Sequence, residues 1–380
     1  MSGLREQLEA TGAAVVEDGP VGDAGGRAGV AVGLRVTPPS IAALGRAVAV
    51  VRAHRLPLRL RGSGDAPVMA PPGGALIDLS PLDRIASVDG LNGIARVEAG
   101  CSVASLEAAA RRAGSTLGPL LPTVRAGSVG AWLAGPTRGE RGVPGARRET
   151  AALSVAAVLG DGRIAEGRAA PRSAAGPDLD HLSLGGSGRL SVVAAAWIRL
   201  FPASPALVSS WRCGSVSAAV AAVEQLCLDR TAPARARIEA QDGRARLALA
   251  WEALETAPIE RDRSARTLQA AGCAPDPDAA TNQWVREPLP GQPVEIDARW
   301  AALRSCAVSS LQLIGLHAGG SFAALSLPEG ESADACAAQA RSAGARVLAP
   351  RRLRDAGPAW EAMGAGAAWA RLIDALGVGE

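Results

Sequence analysis

Residues Leu56-Pro57-Leu58-Arg59-Leu60-Arg61-Gly62-Ser63-Gly64-Asp65 form an alternating run that ends in a glycine-broken turn. Leu56, Leu58 and Leu60 fall on one face of a strand and Arg59 and Arg61 on the other, as period-2 alternation requires. Gly62 and Gly64 lack a Cβ, which opens backbone conformations that turn successive N–H groups toward an anion. Alone, the stretch reads better as an ordinary tight turn after a strand; its neighbours argue for the floor of a phosphate site.

Upstream, Ile41, Leu44, Val48 and Val51 repeat at three- and four-residue spacing behind Ser40. That pattern predicts a helix capped by Ser40 and ending near His54. Downstream, residues 75–79 predict a second short strand, and residues 86–98 predict two strands around Asp89-Gly90-Leu91-Asn92-Gly93, a hairpin signal. Ser102 is placed to cap a helix over 103–113, with Gly114 as its left-handed stop. From 117 to 148 regular patterns fade into a Gly-, Pro- and Arg-rich segment, and a loop of that length is functional or disordered. Ala126-Gly127-Ser128-Val129-Gly130-Ala131-Trp132-Leu133-Ala134 ends it as a second turn running into a helix. Residues 153–165 predict another hairpin around Gly160-Asp161-Gly162, and a short helix then ends at Leu184. Gly185, Gly186 and Gly188 follow, leading into a strand over 191–200 closed by Pro202.

A chain of 380 residues is long enough for two domains, and its net charge of +3 with pI near 8.7 is too small and too dispersed to imply nucleic acid or an anionic membrane as partner. Neither a signal-peptide core after Met1 nor an apolar run of membrane-spanning length is visible, so a cytoplasmic protein is expected. The six cysteines form no CxxC pair and have no histidines at metal-ligand spacing, so no metal is expected and the thiols read as reduced, small core residues. The sequence contains no lysine and no tyrosine. A pyridoxal Schiff base, a Walker lysine and a phenolic acid or base are thereby excluded.

The series Arg61-Gly62-Ser63-Gly64, Gly127-Ser128-Val129-Gly130, Ala174-Ala175-Gly176-Pro177-Asp178-Leu179 and Gly185-Gly186-Ser187-Gly188-Arg189-Leu190-Ser191-Val192-Val193 resembles the FAD-binding domain of the vanillyl-alcohol oxidase superfamily in order and spacing. The resemblance spans roughly residues 30–203, about half of the chain. It implies an α+β protein with a two-subdomain PCMH-type FAD-binding domain over 1–205. A ferredoxin-like α/β substrate domain over 206–350 would follow, and then a C-terminal helical segment over 351–380 packing back on the first domain. Carried over residue by residue, it assigns the diphosphate to Arg61, Gly62, Ser63, Gly64, Asp65 and Ala66. A second loop along the cofactor would be Ser128, Val129, Gly130 and Ala131, and a third stretch presenting backbone groups would be Gly188, Arg189, Leu190, Ser191, Val192 and Val193. A dianionic diphosphate is well held by amides and an arginine.

The chain departs from the family at Asp65, where members carry Thr or a flavin-linking His; FAD is therefore expected to be non-covalent. Further departures are Ala131, Ser187, Arg189 and Ser191, each adding bulk or charge beside the cofactor. In the second half, a helix over 217–228, strands over 235–240 and 244–251, a helix over 298–306, strands over 311–316 and 322–327 and a helix over 333–343 suit the implied substrate domain. His317, in Leu316-His317-Ala318-Gly319-Gly320, resembles part of the His-Ala-Gly-Asp-Gly stretch of relatives that oxidise D-lactate and glycolate, and is the candidate catalytic base; a core or surface histidine is the competing reading. The basic loop with Arg138, Arg141, Arg147 and Arg148 reads as a carboxylate clamp or as a solvated face. Two functions stay open: an FAD-dependent oxidoreductase passing hydride from a small hydroxy acid or alcohol to flavin N5, or a non-catalytic subunit of a larger flavin oxidase. The expected partners are a small-molecule substrate and, for the second function, oxidase subunits.

Overall fold

The computed structural model describes residues 2–18, 33–64, 68–118, 120, 122–135, 148–170, 180–186, 188–203, 207–231, 233–251, 257–276, 294–306, 308–326 and 332–347. Ser40 adopts an extended conformation and accepts the Ala43 N–H at 3.2 Å, starting the helix Ile41–Ala53. The apolar spacing places Leu44, Ala47, Val48 and Val51 in the core. This helix is the crossover between two strands, Gly33–Thr37 and Leu58–Arg61, that lie parallel on either side of Ala75–Asp78. Ala14–Asp18 completes a four-stranded sheet by pairing antiparallel with Gly33–Thr37. The central strand Ala75–Asp78 is buried throughout, as a strand covered on both faces must be.

A second sheet is wholly antiparallel, in the order Ile85–Asp89, Ile94–Glu98, Val192–Arg199, Ala152–Val158, Ile164–Glu166. Ser102 caps Val103–Arg112 by accepting the Ser105 N–H at 3.0 Å, and Gly114 takes φ +70° beyond its end, as the sequence predicts. That helix and Val129–Ala134 pack on the sheet through Val103, Leu106, Val129 and Leu133. Val158, Val192 and Ala194 of the second sheet share a core with Ile77 of the first sheet and with Leu44 and Val48 of its crossover helix, which joins the two sheets into one body around the loops that leave them.

The remaining strands build an eight-stranded antiparallel sheet with an internal repeat. Its first unit runs strand Leu207–Cys213, helix Val216–Leu228, strands Arg235–Gln241 and Arg244–Trp251, helix Ala257–Ala270 and edge strand Ala274–Pro275. Its second runs Val294–Ala298, helix Trp300–Ser305, Ser310–His317, Gly320–Ser326, helix Ala333–Ser342 and Arg346–Val347. Each unit has the spatial strand order fourth, first, third, second, the ferredoxin-like arrangement, and the two second strands pair with each other from Arg235↔Ile314 to Glu239↔Ser310. The ferredoxin-like expectation is met twice over, by a repeat that the sequence reading did not detect. The helix expected over 298–306 is corrected: Ala298 ends a strand, and the helix starts at Trp300 behind Arg299, which makes no side-chain capping bond. The segment 351–380 lies outside the described residues.

Candidate functional site

Leu58–Arg61 carries the first loop. Leu56, Leu58 and Leu60 pack on the core, and the Arg61 carbonyl accepts the Leu79 N–H at 2.8 Å, which fixes where the strand ends. The Arg61 guanidinium stands 3.8 Å from the Asp78 carboxylate. Asp78 is buried, and its Oδ1 accepts both the Ser80 N–H at 3.0 Å and the Ser80 hydroxyl at 2.7 Å. The carboxylate is therefore neutralised within the protein. Arg61 Nε is buried and has no hydrogen-bond partner among the described residues.

The three glycine-bearing stretches, far apart in sequence, meet here. A Cβ on Gly62 would lie 2.1 Å from Ser128 Oγ, so the first and second loops approach as closely as a glycine allows. Ser128 is buried and caps Val129–Ala134 by accepting the Ala131 N–H at 3.2 Å. Backbone bonds from Val129 to the Cys101 carbonyl (2.9 Å), from Gly130 to that of Ala99 (2.7 Å) and from Val103 to that of Gly127 (3.0 Å) zip the second loop to the turn at 99–103. Ala99 in turn donates to the Ala194 carbonyl at 2.9 Å, which brings in the third stretch. Gly188 takes φ +75°, and a Cβ there would lie 2.5 Å from Leu60 Cδ1, against the strand that carries the first loop.

Side-chain placement separates what these residues can offer. Val129, Gly130, Leu190, Ser191, Val192 and Val193 are buried, and the Ser191 hydroxyl is already bonded to Ser183 at 2.7 Å. Ser63, Ala131 and Arg189 are exposed, and the Arg189 carbonyl accepts from Arg52 at 3.1 Å. On the third stretch, pairing with Ile94–Glu98 begins only at Ala195. Asp65 and Ala66 lie outside the described residues, as do Ser187 and the loop with Arg138, Arg141 and Arg147. His317 ends the strand Ser310–His317 opposite Gly320, and its side chain is likewise outside what is described. His54 closes its helix with a backbone bond to the Val50 carbonyl, while its ring pairs with Gln7 at 2.8 Å.

Beside the first loop lies a cavity of about 400 Å³ lined by Ser63, Ser80, Asp83, Ile85, Gly100, Cys101, Ser102 and Ser105. Most of this wall was missed in the sequence, where Ser102 signals only a helix cap. The Ser102 hydroxyl donates to Ser105 Oγ at 2.7 Å, leaving the Ser105 hydroxyl hydrogen available. Burial, with Asp83 and Glu98 nearby, pushes the Cys101 thiol up to about 11, so it is a neutral wall group at pH 7. The Ser63 and Ser105 hydroxyls beside a glycine-bearing turn fit a bound phosphate ester. The Asp83 carboxylate disfavours an anionic group at its own end of the cavity.

Residues 33–168 match the family model described as FAD binding domain, a span covering the first two loops, this cavity and the hairpin at Gly160. The stretch is similar to an FAD-binding domain. The chain is similar to an FAD-linked oxidoreductase, YgcU, of Escherichia coli strain K12, at 28% identity over 130 residues, 34% of this chain and 27% of the relative. It is also similar to a D-lactate dehydrogenase of Archaeoglobus fulgidus, at 36% identity over 116 residues, 30% of this chain and 26% of the relative. The matched part spans about a quarter of the length of these curated relatives. Among solved structures, alkyldihydroxyacetonephosphate synthase superposes with TM-score 0.65 at 16% identity, covering 83% of this chain and 73% of that one. p-Cresol methylhydroxylase superposes at 0.61 and 14% identity, covering 84% and 81%. The likeness in fold thus runs well beyond the FAD-binding domain and takes in much of the chain.

Proposed function

We propose that the chain is an FAD-dependent oxidoreductase that oxidises a small hydroxy acid or alcohol, with FAD held non-covalently by residues 61–66, 128–131 and 188–193. The observation that carries the reading is the convergence of the three glycine-bearing stretches beside the cavity lined by Ser63 and Ser105. FAD, when bound, supplies the two-electron acceptor. The chain's own residues would bind and orient it: amides of Ser63 and Gly64 and the Arg61 guanidinium toward the diphosphate, and backbone groups of the other two stretches along its length. Cys101, held neutral in the wall, adds no charge and is a poor nucleophile, in keeping with non-covalent binding. On this reading residues 1–205 are the FAD unit, the doubled ferredoxin-like sheet within 206–350 binds substrate, and 351–380 return to the FAD unit. A small molecule is the substrate partner, and the cytoplasm is the proposed location.

His317 is the proposed base that takes the substrate hydroxyl proton. It stands at a strand end beside the exposed two-residue turn Ala318-Gly319. Anaerobic mixing of the flavin-loaded protein with a panel of 2-hydroxy acids and primary alcohols tests the proposal. The wild type bleaches the flavin band with one class, and His317→Ala slows that bleaching by about 100-fold or more at unchanged FAD content. Unchanged bleaching in the variant removes His317 from the chemistry. A flavin-loaded wild type that no member of the panel reduces overturns the oxidoreductase reading in favour of the non-catalytic subunit.

A further inference from the structure

The cysteines offer chemistry that the flavin site does not use. All six are buried and none is in a disulfide. Two of them, Cys213 and Cys273, are 60 residues apart in sequence and have their Sγ atoms 2.8 Å apart, longer than the ~2.05 Å of an S–S bond. Their placement follows from the sheet. Leu207–Cys213 pairs antiparallel with the edge strand through Trp211↔Pro275 and Arg212↔Ala274, which sets Cys213 opposite Cys273 at the next step. The Asp276 N–H donates to the Ser210 carbonyl at 2.9 Å, so the pair Ser210 and Asp276 is a hydrogen-bonded one. Alternation along an antiparallel ladder then makes Trp211 with Pro275, and Cys213 with Cys273, non-hydrogen-bonded pairs. Pro275, which has no N–H, fits that position, and the Cys273 N–H goes instead to the Leu268 carbonyl at 2.9 Å. In such pairs the Cα atoms lie about 4.5 Å apart, inside the range a disulfide spans.

We propose that Cys213 and Cys273 are a thiol–disulfide pair that closes reversibly across this sheet edge by exchange with a low-molecular-weight disulfide such as oxidised glutathione. Access comes through the edge strand, which is two exposed residues long and follows Gly272 at φ +77°. Such an edge opens locally without unfolding the sheet. Cys273 is the entering nucleophile, because it sits at the edge between Gly272 and the exposed Ala274 while Cys213 ends an inner strand, and the bond between the two thiols lowers the pKa of Cys273 while that bond and burial raise that of Cys213. Its thiolate attacks one sulfur of the external disulfide, forming a mixed disulfide and releasing one thiolate. Cys213 then loses its proton and attacks the Cys273 sulfur, expelling the second thiolate. Two protein thiols become one S–S bond, the external disulfide becomes two thiols, and the two protons end on the released sulfurs.

The test equilibrates the full-length native protein in glutathione buffers of rising oxidised-to-reduced ratio, quenches with acid, and alkylates the remaining thiols after denaturation. Two of the six thiols are lost together, and peptide mapping recovers a Cys213 to Cys273 cross-link. Reductant restores both. Cys213→Ser does not form the cross-link and accumulates glutathione on Cys273, which traps the first step. Six alkylatable thiols in the wild type at the most oxidising ratio, or a cross-link joining other cysteines, overturns the proposal, and the wild-type count stands whether or not the variant folds.

Discussion

A Gly64→Val variant folds like the wild type and binds FAD on the order of 100-fold more weakly. Among the described residues, a Cβ at Gly64 would meet the Ala126 carbonyl and Gly127 Cα, both at 3.8 Å, an ordinary contact, and no positive φ constrains the position. The protein itself thus tolerates a side chain there, and the loss arises from the space a ligand must occupy. Displacing the diphosphate from two amide donors removes hydrogen bonds to charged oxygens worth roughly 1.5–3 kcal/mol each, and about 2.8 kcal/mol is 100-fold. Gly62→Val behaves differently: its Cβ would collide with Ser128 Oγ at 2.1 Å and Cβ at 2.8 Å, so the junction of two loops shifts and stability falls as well. Titration of the apo-protein with FAD, beside a thermal melt of each variant, separates the two outcomes. Undiminished FAD binding by Gly64→Val would remove the first loop from the cofactor site.

The second large effect is on stability. Trp251→Ala lowers the unfolding free energy of the eight-stranded sheet by about 3–5 kcal/mol. Trp251 is 2% exposed, ends a strand opposite Leu207, and packs in the core formed by both ferredoxin-like units. Its indole N–H reaches the Thr231 carbonyl at 3.5 Å, but Ser264 Oγ also donates to that oxygen at 3.1 Å. That hydroxyl shares its one hydrogen with the Glu260 carbonyl at 2.7 Å, and the Trp251 bond is long, so the loss is mainly one of packing and Trp251→Phe should restore most of it. Urea titration followed by far-ultraviolet circular dichroism measures the shift; a loss below about 1 kcal/mol would contradict the central position of this residue in the core.

Where local chemistry dictates structure, it was readable from the residues alone. Ser40 and Ser102 each cap the helix that their spacing predicts, because a hydroxyl ahead of an apolar period satisfies a helix-end N–H at short range, and Ser128 does the same for the helix read after the second turn. The hairpin at residues 89–93 is legible for the same reason: Asp89 Oδ1 accepts the Asn92 N–H at 2.9 Å within the turn. The doubled sheet was not legible. Its strands Leu207–Cys213 and Val294–Ala298 are held by partners distant in sequence, and neither Ser209-Ser210 nor the alternation in Val-Glu-Ile-Asp-Ala stood out against the surrounding composition. At the site, the glycines marked the loops, since close approach of Gly62 to Ser128 and of Gly188 to Leu60 admits nothing larger. Ser80, Asp83, Cys101 and Ser105 carried no comparable signal: they line a cavity only because three stretches fold onto one another.

The most direct measurement is the absorbance spectrum of the purified protein after incubation with FAD and removal of excess, followed by acid precipitation. Flavin bands are expected at close to one FAD per chain, with all of the flavin in the acid supernatant and none on the precipitated chain. A protein that retains no flavin after this treatment would contradict the assignment of the converging loops to FAD, and flavin that stays on the denatured chain would contradict non-covalent binding.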